Sequence, residues 1–140
     1  MNDTPMFDQL NLVVSDMEAT VTFYRRLGLD IPDTDPDFQD HHRSARLPGG
    51  LDLDFDSAEF ARRWDAGLKS ARAVVGFRVP SRERVDSLYA DLTGAGYAGQ
   101  QPPFDAFWGA RYAVVEDPDG NPVGIMSPAD PARRSAPGFP

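Results

Sequence analysis

Three carboxylates stand at every second position in Leu51-Asp52-Leu53-Asp54-Phe55-Asp56. In an extended segment that spacing puts Asp52, Asp54 and Asp56 on one face and the apolar side chains on the other. Gln9 and Asn11 lie in a second alternating stretch, Arg78 ends a third, and His41 and His42 are adjacent. Side chains of these types can hold a divalent cation, move a proton, or hydrogen-bond a small polar ligand. Aromatic residues gather elsewhere: Phe104, Phe107 and Trp108 fall in one loop, Tyr112 follows it, and Phe38 holds the equivalent place earlier in the chain. Large flat side chains near the mouth of a cavity can sandwich a planar ligand, or they can close a core or a dimer seam.

The chemistry narrows when the spacing is considered. Neighbouring residues on a strand point to opposite faces, so His41 and His42 cannot chelate one ion together. Incidental histidines are common, and both are read as structural or solvent-facing rather than catalytic, with His42 kept among the groups able to touch a ligand. Serines are present, but nothing in the spacing fixes one beside a histidine, so no Ser-His-Asp nucleophile is built. With no cysteine there is neither thiol chemistry nor a disulfide framework, and Lys69, the only lysine, has no neighbours that suggest an activated amine. The alternative for Arg78 and the three aspartates is pairing with each other, or with water, at an open rim.

The elements that must position these groups are legible from periodicity. Phe7 to Val14 alternates as a strand with one apolar face and one carrying amides. Ser15 or Asp16 then caps a helix, with Glu18 placed as in a capping box after Ser15; Met17, Val21, Tyr24 and Leu27 form its stripe, Phe23 widens it, and Gly28 ends it. Residues 30–40 are acidic with two prolines and read as a short strand ending in a loop, before a strand from His41 to Leu47. Pro48-Gly49-Gly50 turns the chain into the aspartate strand, and residues 57–65 can form a short helix with Phe60 and Trp64 four apart. Trp64 is read as core or interface.

The second half repeats the first. Val74 to Val79 is a strand; Ser81 caps a helix with the stripe Val85, Leu88, Tyr89 and Leu92, which Gly94 and Gly96 end. FWGARYAVVEDPDGNPVGIM (residues 107–126) is strand, tight turn, strand. Val14, Glu18, Tyr24 and Leu27 recur sixty-five positions later as Val79, Glu83, Tyr89 and Leu92. At the hairpins the offset is seventy: Phe38 matches Trp108, His42 matches Tyr112, Pro48 matches Pro118 and Gly50 matches Gly120.

Length and charge bound the rest. One domain's worth of chain, 140 residues, can bury a core unaided. A net charge of −8 disfavours nucleic acid and leans toward cationic small ligands, or simply reflects a solvated acidic surface. No apolar run is long enough to span a bilayer and no leader is evident, so no membrane partner is expected and a cytoplasmic location is the default.

The duplicated pattern, with VVSDMEATVTFYRRLGL, RLPGGLDLDFD and WGARYAVVEDPDGN at matching distances, resembles the vicinal oxygen chelate superfamily, which includes glyoxalase I, bleomycin-resistance proteins and extradiol dioxygenases. The resemblance covers residues 7–128. It implies an α+β fold of two tandem βαβββ modules forming a cup-shaped mixed sheet with helices outside. The expected division is an N-terminal arm (1–6), a first module (7–66), a linker (67–70), a second module (71–128) and a Pro-rich tail (129–140) that is disordered or loosely docked. Homodimers are common in the family. Its metal-dependent members take four ligands from places that fall here on Gln9, Asp54, Val74 and Gly124. Two of these have no donor side chain, so the resemblance implies no metal site and no cofactor.

What the resemblance leaves for a ligand on the cup face is Gln9, Asn11, Phe38, His42, Asp54, Arg78, Phe104, Phe107, Trp108 and Tyr112. The expected function is a metal-independent, homodimeric protein of the bleomycin-resistance type that sequesters an aromatic or cationic small molecule. The alternative is a lyase, isomerase or dioxygenase with an atypical or absent metal site, or an enzyme using Asp54 or His42 for proton transfer. A purely structural or partner-binding role stays open.

Overall fold

The computed structural model describes residues 3–26, 29–69, 73–116 and 120–137. The alternating N-terminal stretch forms strand β1 (Met6–Val14), in which Gln9, Asn11 and Val13 are buried more deeply than their neighbours. Helix α1 (Met17–Arg26) follows, buried through Met17 and Val21. Its cap is Asp16 rather than Ser15: the Asp16 carboxylate accepts from the Ala19 amide at 3.0 Å. Leu27 and Gly28, expected to end the stripe and the helix, and the Phe23 side chain, expected to widen it, lie outside the described residues.

The short strand expected within residues 30–40 shrinks to one antiparallel bridge, Asp30 to Arg46. The reason is local. Pro32 and Pro36 donate no amide to a ladder, and Asp35 builds a turn instead, its side chain accepting from the Asp37 amide and its carbonyl from those of Phe38 and Gln39. That turn delivers Phe38 to strand β2 (His42–Ala45).

Gly49 and Gly50, both at positive φ, reverse the chain into β3 (Asp52–Ser57). The Ser57 hydroxyl accepts from the Phe60 amide and starts α2 (Ala58–Trp64). The second module runs β4 (Ala73–Arg78), α3 (Arg82–Gly94, capped by Ser81), β5 (Gly99–Asp105), β6 (Arg111–Glu116) and β7 (Pro122–Met126). The turn residues Asp117, Pro118 and Asp119 lie outside the described residues.

All seven strands form one sheet in the order β2-β3-β1-β4-β7-β6-β5. Within each module the first and last strands are parallel, β1 with β3 and β4 with β7, and the modules join through the antiparallel pair β1–β4. The registers repeat the sequence offsets. Leu10 faces Leu53 as Val75 faces Val123, and His42 faces Asp56 as Tyr112 faces Met126. The fold is therefore the duplicated α+β cup, with module one reduced by the strand that its prolines prevent.

Two helices cover one face of this sheet. Met17 and Val21 of α1 pack on Ala45 and Phe55, and Val85 of α3 packs on Ala113, Val115 and Ile125. Helix α2 lies on the other face, where Phe60, Ala61 and Trp64 meet Val13, Val74, Tyr112 and Val114. Spacing of four predicts a stripe on this helix but not the face it covers. Among the described residues no helix is long and apolar enough to cross a membrane.

Of the two expectations for the tail, docking is what the structure shows over residues 128–137. The Asp130 amide donates to the Gly109 carbonyl (3.0 Å) and the Ser135 amide to that of Phe107 (2.8 Å), with a short 3-10 turn (Pro131–Arg133) between them. Gly109 sits at φ +95°, and a β-carbon there would run into the Asp130 backbone.

Candidate functional site

The pleat places Gln9 and Asn11 of β1, Asp54 and Asp56 of β3 and His42 of β2 on the inner face, side by side across three hydrogen-bonded strands. Phe60 and Trp64 of α2 stand over them. From the far side come Tyr112 of β6, Met126 of β7 and the loop residues Phe107 and Trp108. Together with Phe38 and Arg134 these groups enclose a cavity of about 250 Å³, slightly below the range of roughly 300–1,000 Å³ usual for small-ligand pockets.

The walls are aromatic and interlocked. Phe107 and Trp108 meet edge to face at 5.2 Å, Trp108 and Tyr112 at 5.5 Å, and Trp64 and Tyr112 at 5.8 Å. Phe38 stacks on His42 (5.8 Å) and takes the edge of Phe60 (5.0 Å). Such contacts fix ring orientations and leave flat apolar surfaces toward the cavity. The Trp108 indole N–H donates to Met126 Sδ at 3.2 Å, which anchors the loop to β7.

The floor is polar and connected. Asp56, 1% exposed, accepts from Asn11 Nδ2 at 3.1 Å and lies 2.5 Å from His42 Nδ1. The Ser44 hydroxyl donates to Asp54 Oδ1 at 2.6 Å and lies 3.3 Å from His42 Nε2. The reading of the sequence fixes no serine beside a histidine; strand β2 does, by bringing Ser44 to His42, two residues apart on one face. Ser44 also belongs to the Asp54 carboxylate, which makes it a link in a network rather than an activated nucleophile.

Burial pushes the Asp54 carboxyl up to about 6, with the Ser44 hydrogen bond and the His42 charge only partly opposing it. For His42, burial works against the imidazolium, but the hydrogen bond and charge of Asp56, with Asp54 behind them, raise it above its ordinary value. Burial raises Tyr112 strongly, and the charges of Asp65, Asp56 and Asp54 add to this, so the phenol stays neutral. Asn11 Oδ1 is buried with no hydrogen-bond partner. Because Nδ2 is committed to a carboxylate that can only accept, the amide cannot turn over to satisfy it.

Two of the expected ligand-touching residues do not line the cavity. Arg78, the last residue of β4, pairs with Asp8 at 3.7 Å and is half exposed. Phe104 packs edge-on behind Tyr112 at 6.2 Å, among residues of the core. Conversely, Phe60, Trp64, Met126 and Arg134 line it although they were not among the residues expected to touch a ligand, and Asp56, expected on the inner face with Asp52 and Asp54, lines it too. The seventy-residue offset pairs Asp56 with Met126, a signal that was available. Arg134, in a segment without periodicity, had none.

The family's metal positions do not fit an ion. Gly124 and Val74 supply no donor, and the space over Gly124 is taken, since a β-carbon there would meet the Tyr112 hydroxyl at 2.5 Å. The Gln9 side chain lies across Gly76, where a β-carbon would run into its Cγ. Asp54 is committed to Ser44. Among the described residues no three His, Asp or Glu side chains converge as a metal-binding group.

Comparison with known proteins agrees with the topology. The glyoxalase/bleomycin resistance protein/dioxygenase superfamily model matches residues 6–125. A superfamily member from Vibrio splendidus 12B01 superposes with a TM-score of 0.60 at 16% identity, covering 89% of this chain and 100% of its own. A structure described as the NAD-dependent benzaldehyde dehydrogenase from Legionella pneumophila gives 0.63 at 20% identity, over 85% and 96%. The Mn(II)-bound glyoxalase from Novosphingobium aromaticivorans gives 0.57 at 19% identity, over 89% of this chain and 38% of that one. At these identities the likeness is one of fold. No curated protein matched the chain.

Proposed function

The chain belongs to the glyoxalase/bleomycin resistance protein/dioxygenase superfamily, and from that membership we propose that it is a metal-independent small-molecule-binding protein that sequesters a planar aromatic ligand in the cup. The observation that carries this reading is the Tyr112 phenol lying over Gly124. It turns a place that holds a metal ligand in metal-dependent relatives into part of an aromatic wall. A ring between Phe38 and the Phe107–Trp108 pair would be desolvated on both faces. Its polar end would meet acceptors on the floor: Asp54 and the His42–Asp56 pair. That supports a ligand bearing hydrogen-bond donors or positive charge there, as in the drug-sequestering, bleomycin-resistance type.

Pairing of two copies belongs to the same reading. Met6 and Phe7 are 60% and 53% exposed at the start of β1, with Phe7 beside Phe77 (5.8 Å), an apolar edge suited to a second chain.

The test is a thermal-shift panel of one- to three-ring aromatic amines and phenols, with elemental analysis of protein purified without chelator. A true ligand raises the melting temperature by mass action. Trp108→Ala should remove the shift while leaving cooperative unfolding. Stoichiometric metal in the purified protein, or shifts that survive Trp108→Ala, would sink the proposal.

A further inference from the structure

His42 is held more tightly than ligand contact requires. Nδ1 lies 2.5 Å from the buried Asp56 carboxylate, whose other oxygen takes the Asn11 amide, so Nδ1 carries a proton and donates it. Phe38 stacks against the ring and Phe60 meets it at 64°, while the side chain stays 29% exposed. With Nδ1 engaged by Asp56, the ring nitrogen left to exchange a proton is Nε2, 3.3 Å from Ser44 Oγ. The nearby Ser44 hydroxyl has one proton and gives it to Asp54 at 2.6 Å. In neutral His42 the Nε2 lone pair therefore accepts nothing from the protein. When Nε2 gains a proton the chain closes, because Nε2–H then donates to Ser44 Oγ and Ser44 to Asp54. Both protonation states have a formed network, as a residue that takes up and releases protons needs.

We propose that the cavity floor is a metal-independent proton-transfer centre, in which His42, positioned by Asp56, takes a proton from an activated C–H, N–H or O–H group of a planar aromatic molecule. The inference rests on the aromatic-binding reading and adds a reaction to it. Asp56 is a positioning residue: it fixes the tautomer and ring orientation and stabilises the imidazolium. Asp54, reached from His42 through Ser44, accepts the hydrogen bond that steadies the protonated state.

A generic probe, 5-nitrobenzisoxazole, tests this. The base removes its lone isoxazole C–H proton, the C–H electron pair completes a nitrile, and the N–O bond breaks to release a coloured phenolate. The imidazolium then returns its proton to water. The probe is planar and bicyclic, and its nitro group quenches Trp64 and Trp108, both of which line the cavity, so binding is read separately from turnover. The expected result is turnover above the buffer rate whose kcat/KM rises with pH as His42 loses its proton.

The charged groups facing His42 are Asp54 and Asp56 from β3, with Arg134 lining the same cavity; the packed rings of Phe38 and Phe60 are uncharged. His42→Gln should cost on the order of 100-fold in kcat/KM, with quenching retained. Asp56→Asn should move the midpoint down in pH as well as lower the rate, which a merely structural role would not do. Asp54→Asn should lower the midpoint and keep the titration.

Turnover no faster than buffer overturns the proposal, as does turnover that survives His42→Gln or a titration that vanishes with Asp54→Asn. If His42→Gln does not fold, the wild-type and Asp54→Asn profiles still decide. A probe that quenches without reacting removes the proton transfer and leaves the binding reading. One that neither quenches nor reacts removes the proton transfer too and counts against binding of this ligand shape.

Discussion

The Tyr112 hydroxyl lies over Gly124 at a distance that only a residue without a side chain permits: a β-carbon would approach Oη to 2.5 Å. The two residues face the same side of adjacent strands, Tyr112 opposite Met126 and Gly124 opposite Val114. Gly124→Ala forces the phenol out of its edge-to-face contacts with Trp64 and Trp108 and should destabilise the protein by about 1–3 kcal/mol. Removing the hydroxyl in Tyr112→Phe should recover part of that loss in the double variant. Urea unfolding of the four proteins gives the coupling, and strictly additive effects would show that the contact is not shared.

The buried floor predicts that stability falls as pH rises. Asp54 is raised from 3.8 to about 6, so between those values the native state holds more protons than the unfolded chain, and stability declines through that window. The full shift corresponds to about 3 kcal/mol, present as a cost above pH 6. His42 acts in the same direction. Its raised value contributes stability below its ordinary 6.5, and this is lost as pH passes through the folded value. Urea midpoints should therefore be higher near pH 5 than at pH 8, and Asp54→Asn should flatten the lower part of the curve. A curve flat from pH 4 to 8 in the wild type would contradict this account.

Much of the scaffold was legible because duplication writes itself twice. The offsets of sixty-five and seventy became strand registers, and the alternation of Asp52, Asp54 and Asp56 set two of the three against the cavity. What escaped was the cross-strand geometry. That His42 lies opposite Asp56 follows from the length of the Pro48–Gly50 turn, and only the assembled hairpin brings Ser44 between His42 and Asp54. The position of α2 depends on which face of the sheet the chain crosses after Ser57. Arg78 keeps its place in the alternation of β4 but is the last residue of that strand, where it pairs with Asp8.

The hydrogen bond from Trp108 Nε1 to Met126 Sδ predicts a division of labour within the aromatic wall. Met126→Leu keeps the volume but removes the acceptor, and volume-conserving swaps of this kind usually cost less than about 1.5 kcal/mol. Stability should therefore change little, while the loop carrying Phe107 and Trp108 loosens. The readout is the affinity of whichever aromatic compound gives the largest thermal shift. A several-fold loss with near-normal unfolding is expected, and unchanged affinity would mean the sulfur contact does not set the indole.

Arg134 brings the one cation that lines the cavity among the described residues apart from protonated His42, and it comes from the docked tail. It forms no ion pair among the described residues, so Arg134→Gln should leave stability within about 0.5 kcal/mol, as usual for exposed positions. Its charge still acts on whatever occupies the mouth. The variant should bind anionic aromatics more weakly and cationic ones more strongly than the wild type, with the contrast shrinking as salt screens it. Truncation after Ser127 removes the same guanidinium together with the hydrogen bonds to Gly109 and Phe107, so it should reproduce this change in preference. It should also lower stability by roughly 1–3 kcal/mol, at about 0.5–1.5 kcal/mol for each lost bond. Matched thermal-shift series on the two variants separate charge from docking, and a truncated protein with wild-type ligand preference would show that Arg134 does not act at the cavity.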